Sequence, residues 1–244
     1  MFPLGSDPPV ARISFTNTLL VVVNVAVYAY QVWAAQSVIV LSRAFGMIPE
    51  RLTRFVLSPT LELWRVPVTL LTSLFLHAGA LHLAGNMLYL LIFGPPVERR
   101  LGKVRYLAFY LGAGVIAGLA MVWMFPRSST PVIGASGAIA GVLGAYFVMY
   151  PRARIVMLLP MPFMITAIRV PAVFYLLAWF GFQLYAGTER PGGLAAHSVA
   201  WWAHVGGFLF GVAVGPLMAK TFAEKRRPRA AVSLGIKPAR RRQS

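Results

Sequence analysis

The 244-residue chain has no cysteine and only six acidic residues. Without cysteine there are no disulfides, no thiolate nucleophile and no thiolate-bound metal. Redox chemistry therefore says nothing about the compartment. None of the six acids falls in a stretch that reads as a membrane span. An aspartyl mechanism inside a bilayer lacks its groups, and a Ser-His-Asp triad lacks its acid. There is no His-Glu-x-x-His pair, which removes the zinc-peptidase pattern. Charged residues make up only 12% of the chain, while 58% is hydrophobic. That balance, with several long uncharged runs, excludes a soluble domain and reads as a polytopic membrane protein.

Six runs are apolar enough to span: 17–35, 73–93, 104–125, 134–150, 171–186 and 200–218. The first has one cation before it, Arg12, and is long for a signal-peptide core, so it reads as a retained span. Residues 36–72 mix Arg43, Glu50, Arg51, Arg54, Glu62 and Arg65 with Phe45, Met47, Ile48, Phe55, Leu57 and Trp64. This segment reads as an interfacial loop with amphipathic turns. Residues 155–170 are apolar but interrupted by Pro160 and Pro162, which predicts an interfacial or re-entrant segment. The expected fold is an all-α bundle of six transmembrane helices. Residues 1–16 form a short N-terminal segment, 17–218 the membrane domain and 219–244 a basic tail.

The net charge is +17, and it is unevenly placed. Nine cations, from Lys220 to Arg242, crowd the tail. With six spans, 17 of the 23 lysines and arginines fall on the side of the termini, which predicts cytoplasmic termini. The tail directly follows an apolar span, so it reads as a topology signal with attraction to anionic lipid headgroups, and no nucleic-acid partner is expected. Short extramembrane segments and this tail suit a bacterial plasma membrane. All four lysines (Lys103, Lys220, Lys225 and Lys237) fall on the cytoplasmic side, so a Ser–Lys dyad is excluded.

What remains is a serine and a histidine. Gly134-Ala135-Ser136-Gly137 opens the fourth span and Ala203-His204-Val205-Gly206-Gly207 opens the sixth. Both enter from the same side. From Ser136 to Tyr150 a helix extends roughly 22 Å, short of the ~30 Å hydrocarbon core, so Ser136 sits below the outer surface. Gly137 and Gly141 follow the serine at GxxxG spacing, and Gly207, Gly211 and Gly215 follow the histidine. Such glycines, with Gly134 just before the serine counted among them, let helix backbones approach, which would bring Ser136 and His204 within hydrogen-bond reach. The pattern points to a Ser–His dyad with His204 as general base. His82 and Asn86 lie i,i+4 on one face of the second span, where they are either oxyanion donors or structural hydrogen bonds between helices. His77 and His197, near span ends, read as wetted structural residues. No cofactor and no metal are expected.

The set of motifs resembles the rhomboid intramembrane serine proteases. The matching pieces are Trp64-Arg65, His82-x-x-x-Asn86, Val97-Glu98-Arg99-Arg100-Leu101-Gly102, Gly134-x-Ser136-Gly137 and Ala203-His204-x-Gly206-Gly207-x-x-x-Gly211, in the family's order. The resemblance implies Ser136 as nucleophile and His204 as its base. It also implies an oxyanion hole of His82, Asn86 and the Ser136 backbone amide. Substrates would be transmembrane helices, cut near the extracytoplasmic face after a small residue. Many bacterial members carry an aromatic residue four positions after the serine, packed on the histidine; here that position is Ala140. Trp201, Trp202 and Phe208 are candidates to orient His204 instead. A silent rhomboid-like binder of client helices is disfavoured by the intact Ser136 and His204. A channel or transporter would need charge within the spans.

Overall fold

The structure, a computed structural model, describes residues 2–7, 14–33, 38–59, 65–161, 164–188 and 200–219. Among these are helices α1 (Phe15–Trp33), α2 (Val38–Phe45), α3 (Pro49–Leu57), α4 (Thr69–Thr72), α5 (Ala80–Leu101), α6 (Lys103–Met124), α7 (Ser136–Met149), α8 (Ala172–Thr188) and α9 (Trp201–Met218). Three strands accompany them: β1 (Phe2–Asp7), β2 (Arg154–Met161) and β3 (Met164–Pro171). Arg12, Trp64, Pro162, Arg190, His197 and the tail from Lys220 onward lie outside the described residues.

Helices α1, α5, α6 and α9 are each long and apolar enough to cross a membrane, and α7 and α8 are shorter apolar helices. Their outward faces carry large exposed hydrophobics such as Val22, Val25, Leu91, Ile116, Leu119, Phe174 and Leu209. A soluble protein does not expose apolar surface on this scale; in lipid it is the expected exterior. Trp33 and Trp123, 81% and 85% exposed, end α1 and α6 on the same face of the bundle, where interfacial tryptophans belong. The protein is an integral membrane protein with a six-helix bundle at its centre.

α7 is the axis of the bundle. Every residue from Gly137 to Tyr146 is buried, so its all-round apolar sequence is that of a core helix. At 14 residues it is about 21 Å long, too short for the full hydrocarbon thickness. Ser136 and Met149, at its two ends, therefore cannot lie at opposite faces of the hydrocarbon core. α9 packs on α7 backbone to backbone. A Cβ on Gly207 would collide with the Gly137 carbonyl oxygen, and one on Gly211 with that of Gly141. The expected pairing of the two glycine stripes needs one refinement. The open sides of Gly137 and Gly141 face Ala117 and Ala113 of α6, and it is Gly144 whose bare α-carbon admits the α9 backbone at Phe208. Small residues thus serve two neighbours of α7 at once, which is the geometry of tight membrane packing.

Two polar pins hold α1. At one end Glu98 of α5, 5% exposed, accepts hydrogen bonds from the Thr16 N–H (3.1 Å), the Asn17 N–H (2.8 Å) and the Ser14 hydroxyl. A carboxylate there satisfies the orphan donors at the start of α1 and meets its positive dipole end. Asn17 in turn donates to the Leu90 carbonyl (3.0 Å) and accepts from the Tyr106 hydroxyl (2.7 Å). At the other end Gln31 donates to the His77 carbonyl and accepts from the His77 N–H.

Three elements differ from the sequence expectation. The second span does not begin at Ser73. Residues Ser73–Phe75 form a 3₁₀ turn, and α5 starts at Ala80 and runs past the expected end at Phe93, through Pro95 and Pro96, to Leu101. The prolines remove two helical donors, those that would meet the Leu91 and Ile92 carbonyls, and the Pro96 carbonyl accepts from the Tyr150 hydroxyl (2.8 Å). Residues 155–170, expected as an interfacial or re-entrant segment, form a β-hairpin, with β2 antiparallel to β3 and β1 pairing on its other edge. The sheet lies at the end of the bundle opposite Ser136, where β2 continues from α7 and β3 leads into α8. His77 is not wetted. It is fully buried, edge-on to His82 with ring centroids 5.2 Å apart, and neither ring nitrogen has a hydrogen-bond partner among the described residues.

Candidate active site

Three helix starts, those of α5, α7 and α9, and the C-terminal part of α8 converge at one end of the bundle. Ser136 is the first residue of α7, and the Ile139 N–H to Ala135 carbonyl bond closes the first turn behind it. The amides of Ser136, Gly137 and Ala138 are thus the donors that no helical carbonyl can reach. They point, with the positive end of the helix dipole, at the space in front of Ser136. His204 stands one turn into α9. Its Nε2 lies 2.8 Å from Ser136 Oγ, and its Nδ1 lies 2.7 Å from Gln183 Oε1 on α8. The close backbone contact of Gly207 with Gly137 sets this distance, because it fixes the height of α9 against α7.

His82 and Asn86 come from the first two turns of α5. The Ala78 N–H points at His82 Nδ1 (3.4 Å), which leaves Nε2 as the ring's donor. That Nε2 and Asn86 Nδ2 both face the backbone at Gly134, two residues before the serine. A Cβ there would sit 2.9 Å from His82 Nε2 and 3.6 Å from Asn86 Nδ2. Asn86 is 7% exposed, and its Nδ2 is buried without a partner among the described residues. A buried amide donor left unsatisfied costs about 1–3 kcal/mol. Its orientation toward the serine loop marks the place where an acceptor would complete it.

Gly134 is not a helix-packing glycine. Its φ of +117° is a conformation side chains rarely adopt, and any side chain would strike the His82 ring. Its N–H donates to the Ser73 carbonyl at 2.9 Å, and Val132 and Met47 exchange backbone hydrogen bonds. The segment leading into Ser136 is therefore held by the loop that carries α2 and α3. Beside it lies a cavity of about 20 Å³ next to Ser136, walled by Met47, Leu74 and Ile133 as well as by small residues such as Ala117, Gly137 and Ala203.

Of the three aromatics offered for His204, Trp201 lies edge-on to its ring at 6.2 Å between centroids. Trp202 instead donates from Nε1 to the Gly187 carbonyl, and Phe208 stacks on Phe180. Two residues of α8 were missed by the sequence reading. Trp179 lies 6.0 Å from the His204 ring, and Gln183 binds its Nδ1. The signal for Gln183 was present: it is a lone amide in an apolar span, and such a group needs a partner. No group of three or more potential metal ligands occurs among the described residues.

The family model for the rhomboid domain matches residues 60–221. The chain is 36% identical over 146 residues to rhomboid protease AarA of Providencia stuartii, covering 54% of this chain and 50% of that protein. It is 29% identical over 168 residues to the mitochondrial rhomboid protein 1 of Saccharomyces cerevisiae, covering 66% of this chain and 45% of that protein. Over 84 residues it is 48% identical to rhomboid protease GluP of Bacillus subtilis, covering 34% of this chain and 15% of that protein. The chain thus spans about half or less of the length of these curated relatives. With the domain match covering most of the chain and two of these relatives named as proteases, this six-helix membrane protein belongs to the rhomboid family.

Proposed function

We propose that the protein is an intramembrane serine endopeptidase that cuts transmembrane helices with a Ser136–His204 dyad. The observation that carries this reading is the 2.8 Å approach of Ser136 Oγ to His204 Nε2 at the start of a short, buried helix. The nucleophile then has its base, and the base has an orienting partner. In the first step the Oγ proton passes to Nε2 as Oγ bonds to the scissile carbonyl carbon. The carbonyl electron pair moves to oxygen. That oxyanion is met by Asn86 Nδ2, His82 Nε2 and the Ser136 N–H at the positive end of α7. His204 next gives its Nε2 proton to the departing amine as the C–N bond breaks. Water, activated by the same nitrogen, then releases the acyl group.

The proposed membrane is a bacterial plasma membrane with both termini in the cytoplasm, on the strength of the 17 cations gathered on that side. Residues 1–16, 17–218 and 219–244 are then N-terminal segment, catalytic domain and basic tail, the last facing anionic headgroups. Ser136 faces the extracytoplasmic half. The cavity beside it has room for about one water or methyl group, which favours a small residue before the scissile bond. Purified protein in liposomes should cleave a reporter transmembrane substrate. Mass spectrometry should place the cut after a small residue, near the extracytoplasmic end of its helix. A cut at the cytoplasmic end would overturn both the orientation and the depth assigned to Ser136.

His82→Ala and Asn86→Ala should each slow turnover. Losing one oxyanion donor typically lowers kcat by about 10²–10³, less where water can replace it. Because both groups face one point, the double variant should lose less than the product of the single losses. Melting and kcat measured on the same preparations decide the matter. Lowered melting with unchanged kcat would make both residues structural.

A further inference from the structure

α8 carries one side-chain amide, Gln183, and it is 4% exposed. A buried amide in a bilayer helix is costly unless it is hydrogen-bonded. Its Oε1 lies 2.7 Å from His204 Nδ1. An amide oxygen only accepts, so with this oxygen toward the ring the contact is a hydrogen bond when Nδ1 carries the proton. A neutral imidazole has one N–H, which leaves Nε2 with its lone pair toward Ser136 Oγ. Trp179, one turn before Gln183, and Trp201 enclose the ring, but neither offers an acceptor to Nδ1. They limit the ring plane, whereas the amide sets the proton. Ala140, fully buried, is 3.4 Å from where a Gly207 Cβ would stand and reaches neither nitrogen.

We propose that Gln183 is the positioning residue of this site, holding His204 in the Nδ1–H tautomer that can take the Ser136 proton. It occupies the place that a carboxylate holds in soluble triads. The proposal rests on the reading of Ser136 and His204 as nucleophile and base. Through the cycle the proton shuttles between Oγ, Nε2 and the leaving amine, while Nδ1–H stays on the ring and Gln183 takes no proton. A neutral acceptor gives orientation without placing an anion in the bilayer interior, where a lone carboxylate is expensive. If the amide turned, its NH₂ would donate to Nδ1, put the proton on Nε2 and disarm the base.

Three measurements test this. In ¹⁵N-histidine spectra of the wild-type protein, with His204→Ala to assign the signal, His204 should show a protonated Nδ1 and an unprotonated Nε2. Gln183→Leu should lower kcat by about 10²-fold or more, toward the ~10⁴ that a wrong tautomer costs a soluble triad. KM should stay within about threefold, since no substrate contact is lost. Gln183→Glu, which keeps an acceptor at Nδ1, should recover kcat to within about tenfold of wild type. A wild-type His204 protonated on Nε2 overturns the proposal whether or not the leucine variant folds. So does a folded Gln183→Leu protein with wild-type kcat while Ser136→Ala is inactive. Cleavage by Ser136→Ala would instead remove the nucleophile assignment, and this role with it.

Discussion

Ser136→Ala and His204→Ala should each abolish cleavage of a reporter transmembrane substrate, with different effects on stability. Knocking out the nucleophile or base of a hydrolase that works as a unit lowers kcat by on the order of 10⁶, enough to take turnover below detection. The stabilities diverge because the two side chains sit differently. Ser136 Oγ makes one hydrogen bond, to His204, at the half-exposed mouth of the site. Losing it changes stability by no more than about 1 kcal/mol. His204 also partners Gln183, which is almost fully buried. Its removal leaves the Oε1 acceptor unsatisfied, at about 1–3 kcal/mol. Melting should therefore be unchanged in Ser136→Ala and lowered in His204→Ala, with both inactive. A serine-reactive probe should label wild type and not Ser136→Ala. Normal turnover by either purified variant would end the dyad assignment.

Gly207→Leu and Gly211→Leu should be the most disruptive changes in α9. A Cβ at either position meets a backbone carbonyl of α7, at Gly137 or Gly141, and a carbonyl in a helix cannot swing aside as a side chain can. The helices must separate. Overpacking a tight core typically costs 1–3 kcal/mol, and occasionally more; a clash against backbone belongs at the upper end. Separation also lengthens the Ser136–His204 hydrogen bond, since Gly207 lies three residues beyond the histidine. Ala213→Leu, on the exposed face of the same helix, is the control and should leave melting and turnover unchanged. Wild-type melting and turnover in both glycine variants would show that α7 and α9 are not packed this closely.

The six helices were legible because lipid imposes length and polarity on each span, and five of the six boundaries lie within about two residues of the expected ones. The exception, α5, was obscured by Pro95-Pro96. Proline removes a donor from the turn before it, yet the helix runs through both residues to Leu101. The β-hairpin was hidden for a similar reason. Pro160 demotes a strand locally, whereas the pairing that makes it one comes from β3 and from β1, about 150 residues away. At the site, Ser136 and His204 stood out because each opens an apolar span beside a glycine stripe. Gly134 was visible as a glycine, but its positive φ was not. Gln183 had no motif around it. Its place became evident only when α8 and α9 lay side by side, since the relation between residues 21 apart in sequence is a matter of packing.

The pin at Glu98 joins two helices that are made at different times. α1 is synthesised and can insert as an apolar helix long before its partner exists, because the carboxylate that caps Thr16 lies 82 residues downstream. Until Glu98 emerges, the first amides of α1 depend on water or headgroups at the membrane surface. α1, which precedes the matched family region, therefore has its cap only once the end of α5 is in place. Until then it is a helix in the membrane without its latch.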